Sequence, residues 1–222
     1  MLQHMYLPTQ FEGDRAQAAA LIQQYPFASL ISADDAGLPF ITHLPLHLQA
    51  EGQDSRGEAP FSLLGHVARG NPHWRYLVAR PQAVVTFLGA HAYLSPQVYP
   101  DLARVPTWNY LAVHCTVQAQ LIEEPGAKDR LLKKLIADHE PAYAEQWRGL
   151  GEAYAQKMMA GIVAFELQVT GMQCKLKLNQ HRPEAFSAMR EIYANGNENE
   201  QALARWMDRL GMHAAHSLSQ EP

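Results

Sequence analysis

The chain has 222 residues, of which 47% are hydrophobic and 18% charged, and 18 basic against 22 acidic residues give a formal charge of −4. This composition is typical of a globular protein and excludes a disordered chain. A mildly acidic chain has no general electrostatic attraction to nucleic acid, so DNA binding would need a local basic patch. The apolar runs are all far shorter than a membrane span, so no membrane partner is expected.

The two cysteines and the N-terminal sequence indicate the cellular compartment. Cys115 and Cys174 form no Cys-x-x-Cys pair, and residues 1–6 lack the basic and apolar regions of a signal peptide. We therefore expect a cytoplasmic protein in which both thiols are buried and structural.

The first third of the chain predicts a helix followed by a hairpin. Residues 14–25 are alanine-rich, begin with an acidic residue and stop before a proline, which predicts a helix. Residues 27–33 and 39–48 predict two strands, because the turn sequence Asp34-Asp35-Ala36-Gly37 lies between them. The polar segment 49–59 predicts an exposed loop.

Next comes a strand that runs directly into a helix. The apolar run that ends at Ala68 predicts a buried strand, and Asn71 before Pro72 predicts an N-cap for a helix over 72–79. The first N–H groups of a helix lack internal partners, and Arg69 stands two residues before the cap. This junction predicts a socket for an anion such as a phosphate, although most Asn-Pro helix starts bind nothing.

A second dense stretch follows the strand predicted at 82–89. Three prolines and four large aromatic residues lie within residues 91–110, which predicts a stiff loop without regular strand pairing. Such a loop either fills part of the core or forms the floor of a ligand site, and the sequence leaves both interpretations open.

The second half adds strands and helices without a repeated β-α-β pattern, which argues against a Rossmann sheet. We expect an α+β fold, mainly an antiparallel Greek-key-like β-barrel. The predicted domain covers 1–182, with a helical insertion at about 127–160, and the helices of 183–222 attach to it. The strands predicted in this half are 111–122, 161–169 and 172–178. The predicted helices are 128–139, 143–159, one that ends near residue 194, and 200–210. The tail after residue 212 is expected to be frayed.

Seven short motifs follow one another along the chain to about residue 190: Met5-Tyr-Leu-Pro8, Pro26-Phe27-Ala28, His43-Leu44-Pro45-Leu46, the Gly65–Pro72 segment, His91-Ala-Tyr-Leu-Ser-Pro96, Val105-Pro-Thr-Trp-Asn-Tyr110 with Val113-His114, and the Lys175–Glu184 segment. Together they resemble the PaiB-type, FMN-binding split-barrel family of negative transcriptional regulators. The resemblance implies a six-stranded split barrel, a homodimer, and FMN in a groove between the two subunits.

The resemblance also implies the cofactor-binding residues. The FMN phosphate is expected near His66, Ala68, Arg69 and Asn71, where the residues alone predict an anion socket, with His43 beside the phosphate or ribityl chain. Trp108, Asn109 and Tyr110 are expected to line the isoalloxazine ring. The residues expected to close the site are Lys175, Lys177, Gln180 and Arg182. Against these assignments, Trp108 would equally suit a core position, the lysines a solvated face, and His43 a structural hydrogen bond.

This sequence departs from the family pattern just before residue 180. The family usually has a glycine where this chain has Cys174 and an aromatic residue where it has Leu176. The loop from Tyr99 to Val105 is also shorter than usual. If the missing aromatic packs on the flavin, the affinity for FMN should fall, because ring stacking contributes about 1–3 kcal/mol.

Three functions follow from these patterns. The first is an FMN-binding regulatory homodimer whose further partner is DNA or a regulatory protein; residues 182–210 carry four arginines against five acidic residues, whereas a DNA-recognition helix is usually more basic. The alternative is an FMN-dependent oxidoreductase that uses NAD(P)H and a small acceptor, with His91, His114 or Tyr110 near a substrate. The third, a haem or metal protein, is disfavoured because the 11 histidines lack ligand spacing.

Overall fold

The computed structural model describes residues 5–50, 61–101 and 103–212, with the side chain of residue 50 excepted. The strands are β1 (Glu12–Gly13), β2 (Phe27–Ala33), β3 (Pro39–Pro45), β4 (His47–Ala50), β5 (Phe61–Ala68), β6 (Gln82–Leu94), β7 (Thr107–Ile122) and β8 (Ile162–Lys177). The helices are α1 (Arg15–Gln24), α2 (His73–Ala79), α3 (Pro125–His139), α4 (Tyr143–Gly149), α5 (Glu152–Ala160), α6 (Phe186–Ala194) and α7 (Glu198–Arg209). Most of the predicted loop 49–59 and the predicted frayed tail lie outside the described residues.

The eight strands form one antiparallel sheet in the order β3-β2-β6-β7-β8-β5-β4, and β1 pairs with β8. β3 and β4 lie at opposite ends of this path, yet only Leu46 separates them in the sequence. The sheet must therefore curl until its two edges meet, although no described ladder joins them. This is an α+β fold of the split-barrel type, as the sequence predicted, although the described sheet has eight strands and not the six that the resemblance implies.

The corner at Leu46 is closely packed. Leu46 is 1% exposed, and its side chain lies 2.5 Å from the position that a Cβ on Gly65 would occupy. A Cβ atom at position 65 of β5 would therefore collide with Leu46, at the corner that brings the two sheet edges together. This explains why glycine stands in the middle of an otherwise apolar strand.

The interior of the barrel is filled by alternate residues of the long strands. Leu30, Val85, Phe87, Val113 and Phe165 are all 0% exposed. α1 covers one end of this core with Leu21 and Ile22, and it starts at a capping box in which Asp14 and Gln17 satisfy each other's backbone N–H groups.

The other side of the sheet, which we call the outer sheet face, carries large apolar side chains that are exposed to solvent. The strand register places these residues on β2, β3, β6 and β7, opposite to the buried positions. Their exposed fractions are 65% for Phe27, 51% for Ile41, 58% for Leu88, 50% for Tyr93 and 55% for Trp108. Apolar patches of this kind mark interaction surfaces.

Between β7 and β8 the chain inserts α3, α4 and α5. α3 buries Leu131 and Leu135, which form a small cluster with Leu64 of β5 and Ala164 of β8, separate from the main core. α4 and α5 bury none of their residues. α3 is therefore the helix that attaches the insertion to the sheet.

The last two helices complete the main core. α7 starts at a capping box formed by Asn197 and Glu200, and it packs against β6. Leu203 and Met207 of α7 are 0% exposed, and Tyr193 of α6 is 1% exposed. Among the residues that the structure describes, no helix is long and apolar enough to cross a bilayer.

Four predicted boundaries were wrong. The strand predicted at 39–48 is two strands, because the chain turns at the buried Leu46, so that β3 pairs with β2 and β4 pairs with β5. Residues 91–110 were predicted to form a loop without strand pairing, but residues 91–94 pair with residues 107–110 and extend β6 and β7. This pairing is possible because the three prolines of the stretch all lie between the paired segments. A bulge follows Leu88 in β6. The two strands predicted at 161–169 and 172–178 are one strand, because a register shift at Thr116 of β7 lets β8 continue through Gly171. The helix predicted at 143–159 is broken where Leu150 and Gly151 adopt extended backbone angles.

Candidate functional site

The predicted site residues lie in two groups along the sheet. The phosphate-end group consists of His43, His66, Ala68, Arg69 and Asn71, and the ring-end group of Trp108, Asn109, Tyr110, Lys175, Lys177, Gln180 and Arg182. His66 pairs with Ala164 of β8, whereas Lys175 lies eleven residues further along that strand, a path of about 35 Å. The two groups therefore do not converge on one point of a single chain.

Arg69 follows the last residue of β5 and is held by the end of the insertion. Its Nε donates to the carbonyl of Ala160 at 2.8 Å, and its Nη2 donates to the carbonyl of Ile162 at 3.3 Å. Its backbone N–H donates to Gly161 at 2.9 Å. Two of the five guanidinium N–H groups are thus used, and within the described residues the exposed side chain has three further donors without a hydrogen bond.

His66 lies three residues before Arg69 and is partly buried. Its Nδ1 atom is enclosed and has no hydrogen-bond partner among the described residues. Burial lowers the pKa of His66, so the neutral imidazole is favoured. A neutral ring can donate from one nitrogen and accept at the other, so the unpartnered Nδ1 makes His66 a candidate for ligand contact.

The sequence predicted that the first N–H groups of α2 are available to an anion, but the side chain of Asn71 occupies one of them. The helix begins at His73, and Asn71 Oδ1 accepts from the N–H of His73 at 3.0 Å. Its amide group donates to Thr42 Oγ1 at 3.1 Å, which ties the loop to β3 next to His43. The exposed Ala68 accepts the N–H of Asn71 at 2.9 Å. The groups that this end could offer to an anion are therefore the side chains of Arg69 and His66 and not the helix start.

A buried polar network that sequence reasoning missed lies behind this loop. His73 is 0% exposed, and its Nδ1 and Nε2 lie 2.7 Å from Thr42 Oγ1 and 3.0 Å from Ser32 Oγ. Burial lowers the pKa of His73 to about 4, so the ring is neutral and links β2, β3 and α2. His73 directly follows the Asn-Pro pair in the sequence, but nothing in the residue pattern indicated that it is enclosed.

His43 lies on the outer sheet face, as expected for a residue that could approach a ligand. Its Nδ1 is 3.0 Å from Ser29 Oγ, and its ring stacks on Phe27 with the centroids 6.4 Å apart. The side chain remains exposed. His43 is therefore oriented by Ser29 and Phe27 while it stays exposed to solvent.

The ring-end group is built around Trp108 and Tyr110 on β7. The Trp108 ring packs at 6.2 Å from Tyr93 and 6.3 Å from His91. Lys175 and Lys177 place their ammonium groups 5.3 and 5.8 Å from the centroid of Tyr110. These residues together form an aromatic surface bordered by two cations.

The two lysines are fixed by hydrogen bonds to other parts of the chain. Lys175 donates to the carbonyl of Tyr6 at 2.7 Å, and Lys177 donates to Thr107 Oγ1 at 2.7 Å and to the carbonyl of Trp108. Burial, together with the charge of Lys175, lowers the pKa of Lys177. Lys175 is 6% exposed, so Lys177 and the ring of Tyr110, both half-buried, are the parts of this group that a ligand could contact.

Three predicted site residues are placed away from this surface or are bonded locally. Asn109 is 0% exposed on the core side of β7, where its amide donates to Tyr193 at 3.0 Å. Gln180 accepts from the N–H of Leu178 at 3.0 Å and donates to the carbonyl of Leu176. Arg182 lies 3.9 Å from Glu184.

The two departures from the family pattern face the core. Leu176 is 1% exposed and Cys174 is 3% exposed, so neither lies on the outer sheet face. The missing aromatic at Leu176 is therefore not a missing stacking partner for a ligand on that face. Burial raises the pKa of both Cys115 and Cys174 to about 12, which makes them unreactive structural thiols.

Comparison with known proteins identifies the family. Residues 5–171 match the family described as "Putative FMN-binding domain". The protease synthase and sporulation protein PAI 2 of Bacillus subtilis is 30% identical over 212 residues, which cover 92% of this chain and 97% of that protein. The match therefore extends over nearly the whole length of both proteins.

Solved structures with the same fold are more distant in sequence. The flavocytochrome Anf3 from Azotobacter vinelandii aligns with a TM-score of 0.56 and 16% identity, covering 75% of this chain and 68% of that one. The FAD and haem binding protein from Mycobacterium smegmatis aligns with a TM-score of 0.55 and 18% identity, covering 75% of this chain and 72% of that one. These similarities support the fold alone.

The residues of the structure also fit a phosphorylated flavin. Within the described residues, Arg69 has guanidinium donors without a partner, and the enclosed ring nitrogen of His66 has no partner either. Trp108 and Tyr110 provide an aromatic surface beside Lys177. This donor set matches a cofactor with a phosphate at one end and an aromatic ring at the other. The chain belongs to the family of FMN-binding domains, and FMN is the cofactor of that family.

Proposed function

We propose that this protein is an FMN-binding homodimer that acts as a negative transcriptional regulator of the PaiB type. The observation that carries the proposal is the separation of two complementary half-sites on one sheet face. One half-site has the phosphate-binding chemistry of Arg69 and His66, and the other has the aromatic rings and lysines around Tyr110. A second copy of the chain, related by twofold symmetry, would bring the phosphate end of one protomer beside the ring end of the other.

The outer sheet face supports this choice of partner. Phe27, Ile41, Leu88 and Trp108 each expose half or more of their area to solvent on that face. Covering them with the same face of a second chain removes the apolar surface from water and encloses the flavin at the same time. We therefore place FMN between the two protomers, with its phosphate at Arg69 and His66 and its ring near Trp108 and Tyr110.

The regulatory role is supported by the relative with a similar length. The Bacillus subtilis protein, named for protease synthesis and sporulation, is 30% identical across almost the entire chain. The C-terminal segment 182–210 has little net positive charge to offer DNA, because its four arginines are outnumbered by five acidic residues and Arg190 is paired with Asp208 through two hydrogen bonds, at 2.6 and 2.9 Å. We therefore propose that regulation is exerted through a protein partner rather than through operator contacts of these helices.

Two measurements on the purified protein test this proposal. An absorbance spectrum should show bound flavin after incubation with FMN and gel filtration, and sedimentation velocity should give a dimer. Leu88→Asp, which places a charge on the outer sheet face, should convert the dimer to a monomer and release the flavin. A monomeric wild-type protein that retains no flavin would contradict the proposal.

Gel-shift and reduction assays separate the regulatory role from the oxidoreductase alternative. On genomic fragments we expect only salt-sensitive binding without sequence preference. With NADH or NADPH under anaerobic conditions, the flavin band should persist. Rapid bleaching of that band would favour the oxidoreductase, and sequence-specific retention of one fragment would show direct operator recognition.

A further inference from the structure

The helical insertion is attached to the barrel through a small set of contacts. Leu131 and Leu135 of α3 pack on Leu64 and Ala164 of the outer sheet face. Asp138 of α3 contacts His47 Nδ1 of β4 at 2.6 Å, and Lys134 donates to Gln49 on the same strand. Since α4 and α5 bury nothing, the docking of the whole insertion depends mainly on α3.

α3 lies directly beside His66. Leu64 is two residues before His66 on the same face of β5, and Ala164 is the residue of β8 that pairs with His66. The two sheet residues covered by α3 are therefore neighbours of His66 along the strand and across the ladder. α3 therefore packs on the two sheet residues that neighbour His66, whose ring Nδ1 is enclosed.

The far end of the insertion meets Arg69. The carbonyl of Ala160, the last residue of α5, accepts from Arg69 Nε, and the carbonyl of Ile162 accepts from Nη2. A cation at the C-terminus of a helix interacts favourably with the helix dipole. One guanidinium group therefore stabilises the end of the insertion and presents its remaining donors to the proposed phosphate.

We infer that the α3–α5 insertion is a wall of the phosphate end of the flavin site and that FMN binding and docking of this insertion stabilise each other through Arg69 and His66. The inference rests on the proposed function, since it uses the same phosphate position. A phosphate on Arg69 and His66 favours the arrangement in which Ala160 and α3 hold these residues in place. By linkage, undocking of the insertion weakens FMN binding by the same factor by which bound FMN shifts the docking equilibrium of the insertion.

Affinity measurements on three variants test the coupling. Leu135→Ala removes an apolar contact of α3, and Asp138→Asn weakens its contact with His47 without opening the core. Both should raise the Kd for FMN, by about tenfold for Leu135→Ala, since coupling between sites commonly amounts to 5- to 150-fold. Tyr154→Ala, at an exposed position of α5, is the matched control and should leave the Kd unchanged.

Hydrogen exchange provides a readout that is independent of any activity. Saturating FMN should slow amide exchange in α3 and α5 of the wild-type protein, and Asp138→Asn should reduce this protection. If FMN binds but residues 125–160 exchange at the same rate and both α3 variants keep the wild-type Kd, the coupling is wrong while the flavin site stands. If the wild-type protein binds no FMN, the proposed function fails and the inference fails with it.

Discussion

The buried histidine behind the site predicts a marked loss of stability in mild acid. His73 is 0% exposed, and burial lowers its pKa from 6.5 to about 4. In the unfolded chain the ring is in water and titrates near its ordinary value. Between these two pKa values the unfolded state binds more protons than the folded state, so the free energy of unfolding falls as the pH decreases below about 6.5.

The size of the effect follows from the pKa difference. Each pKa unit corresponds to about 1.4 kcal/mol. Protonation of His73 in the unfolded state therefore lowers the free energy of unfolding by about 2–3 kcal/mol at pH 4.5 relative to pH 7.5. A domain with an ordinary stability of about 5–15 kcal/mol would lose a substantial part of it. Above pH 7 the contribution of His73 is fully present and should not change further.

Urea unfolding at pH 7.5, 5.5 and 4.5 measures this dependence. His73→Gln removes the titrating ring, so the variant is less stable at pH 7.5 but should lose less stability than the wild-type protein as the pH falls. The difference between the two pH profiles isolates His73 from the other histidines. Parallel profiles for the two proteins would refute the claim that His73 is held neutral by burial.

Three further predictions concern the scaffold. Gly65→Ala should destabilise the protein by about 1–3 kcal/mol in urea, because its Cβ would collide with Leu46 at the corner between β3 and β4; an unchanged midpoint would mean that this corner is loosely packed. Asn197→Ala removes the N-cap of α7 and should cost about 1 kcal/mol in the same assay, whereas an exposed change such as Gln201→Ala in that helix should cost less. Cys115 and Cys174 should react with a thiol reagent only at the rate of unfolding, and rapid labelling of the native protein would contradict their burial.

Much of the architecture could be predicted because local signals agreed with the final fold. The Asp-Asp-Ala-Gly turn between two strand-like segments predicted the hairpin of β2 and β3, although the second strand ends at Pro45 and not at residue 48. The prolines of residues 91–110 suggested a loop, but they all fall between His91–Leu94 and Thr107–Tyr110, which pair across the sheet. Pairing between distant segments is decided by tertiary contacts, so composition alone could not locate it.

The sequence named candidate site residues but could not give their arrangement. Arg69 and His66 were identified from one motif, but the contacts of Arg69 with Ala160 and Ile162 come from a segment about ninety residues away. Asn109 was grouped with Trp108 and Tyr110 because they are adjacent in sequence. On a strand, adjacent side chains point to opposite faces, and Asn109 consequently lies in the core beside Tyr193.

The most direct test of the account is an FMN titration that compares Arg69→Ala with the wild-type protein, followed by the quenching of flavin fluorescence. Arg80→Ala is the matched control. Like Arg69, Arg80 donates through its Nε to a backbone carbonyl, that of Ala33, but its Nη2 lies 2.9 Å from Asp35 Oδ1 and away from the proposed phosphate. Removing a charged hydrogen-bond donor to the phosphate should cost about 1.5–3 kcal/mol, which is roughly a tenfold to hundredfold increase in Kd. We predict that increase for Arg69→Ala and an unchanged Kd for Arg80→Ala, and equal affinity in all three proteins would contradict a flavin phosphate bound at Arg69.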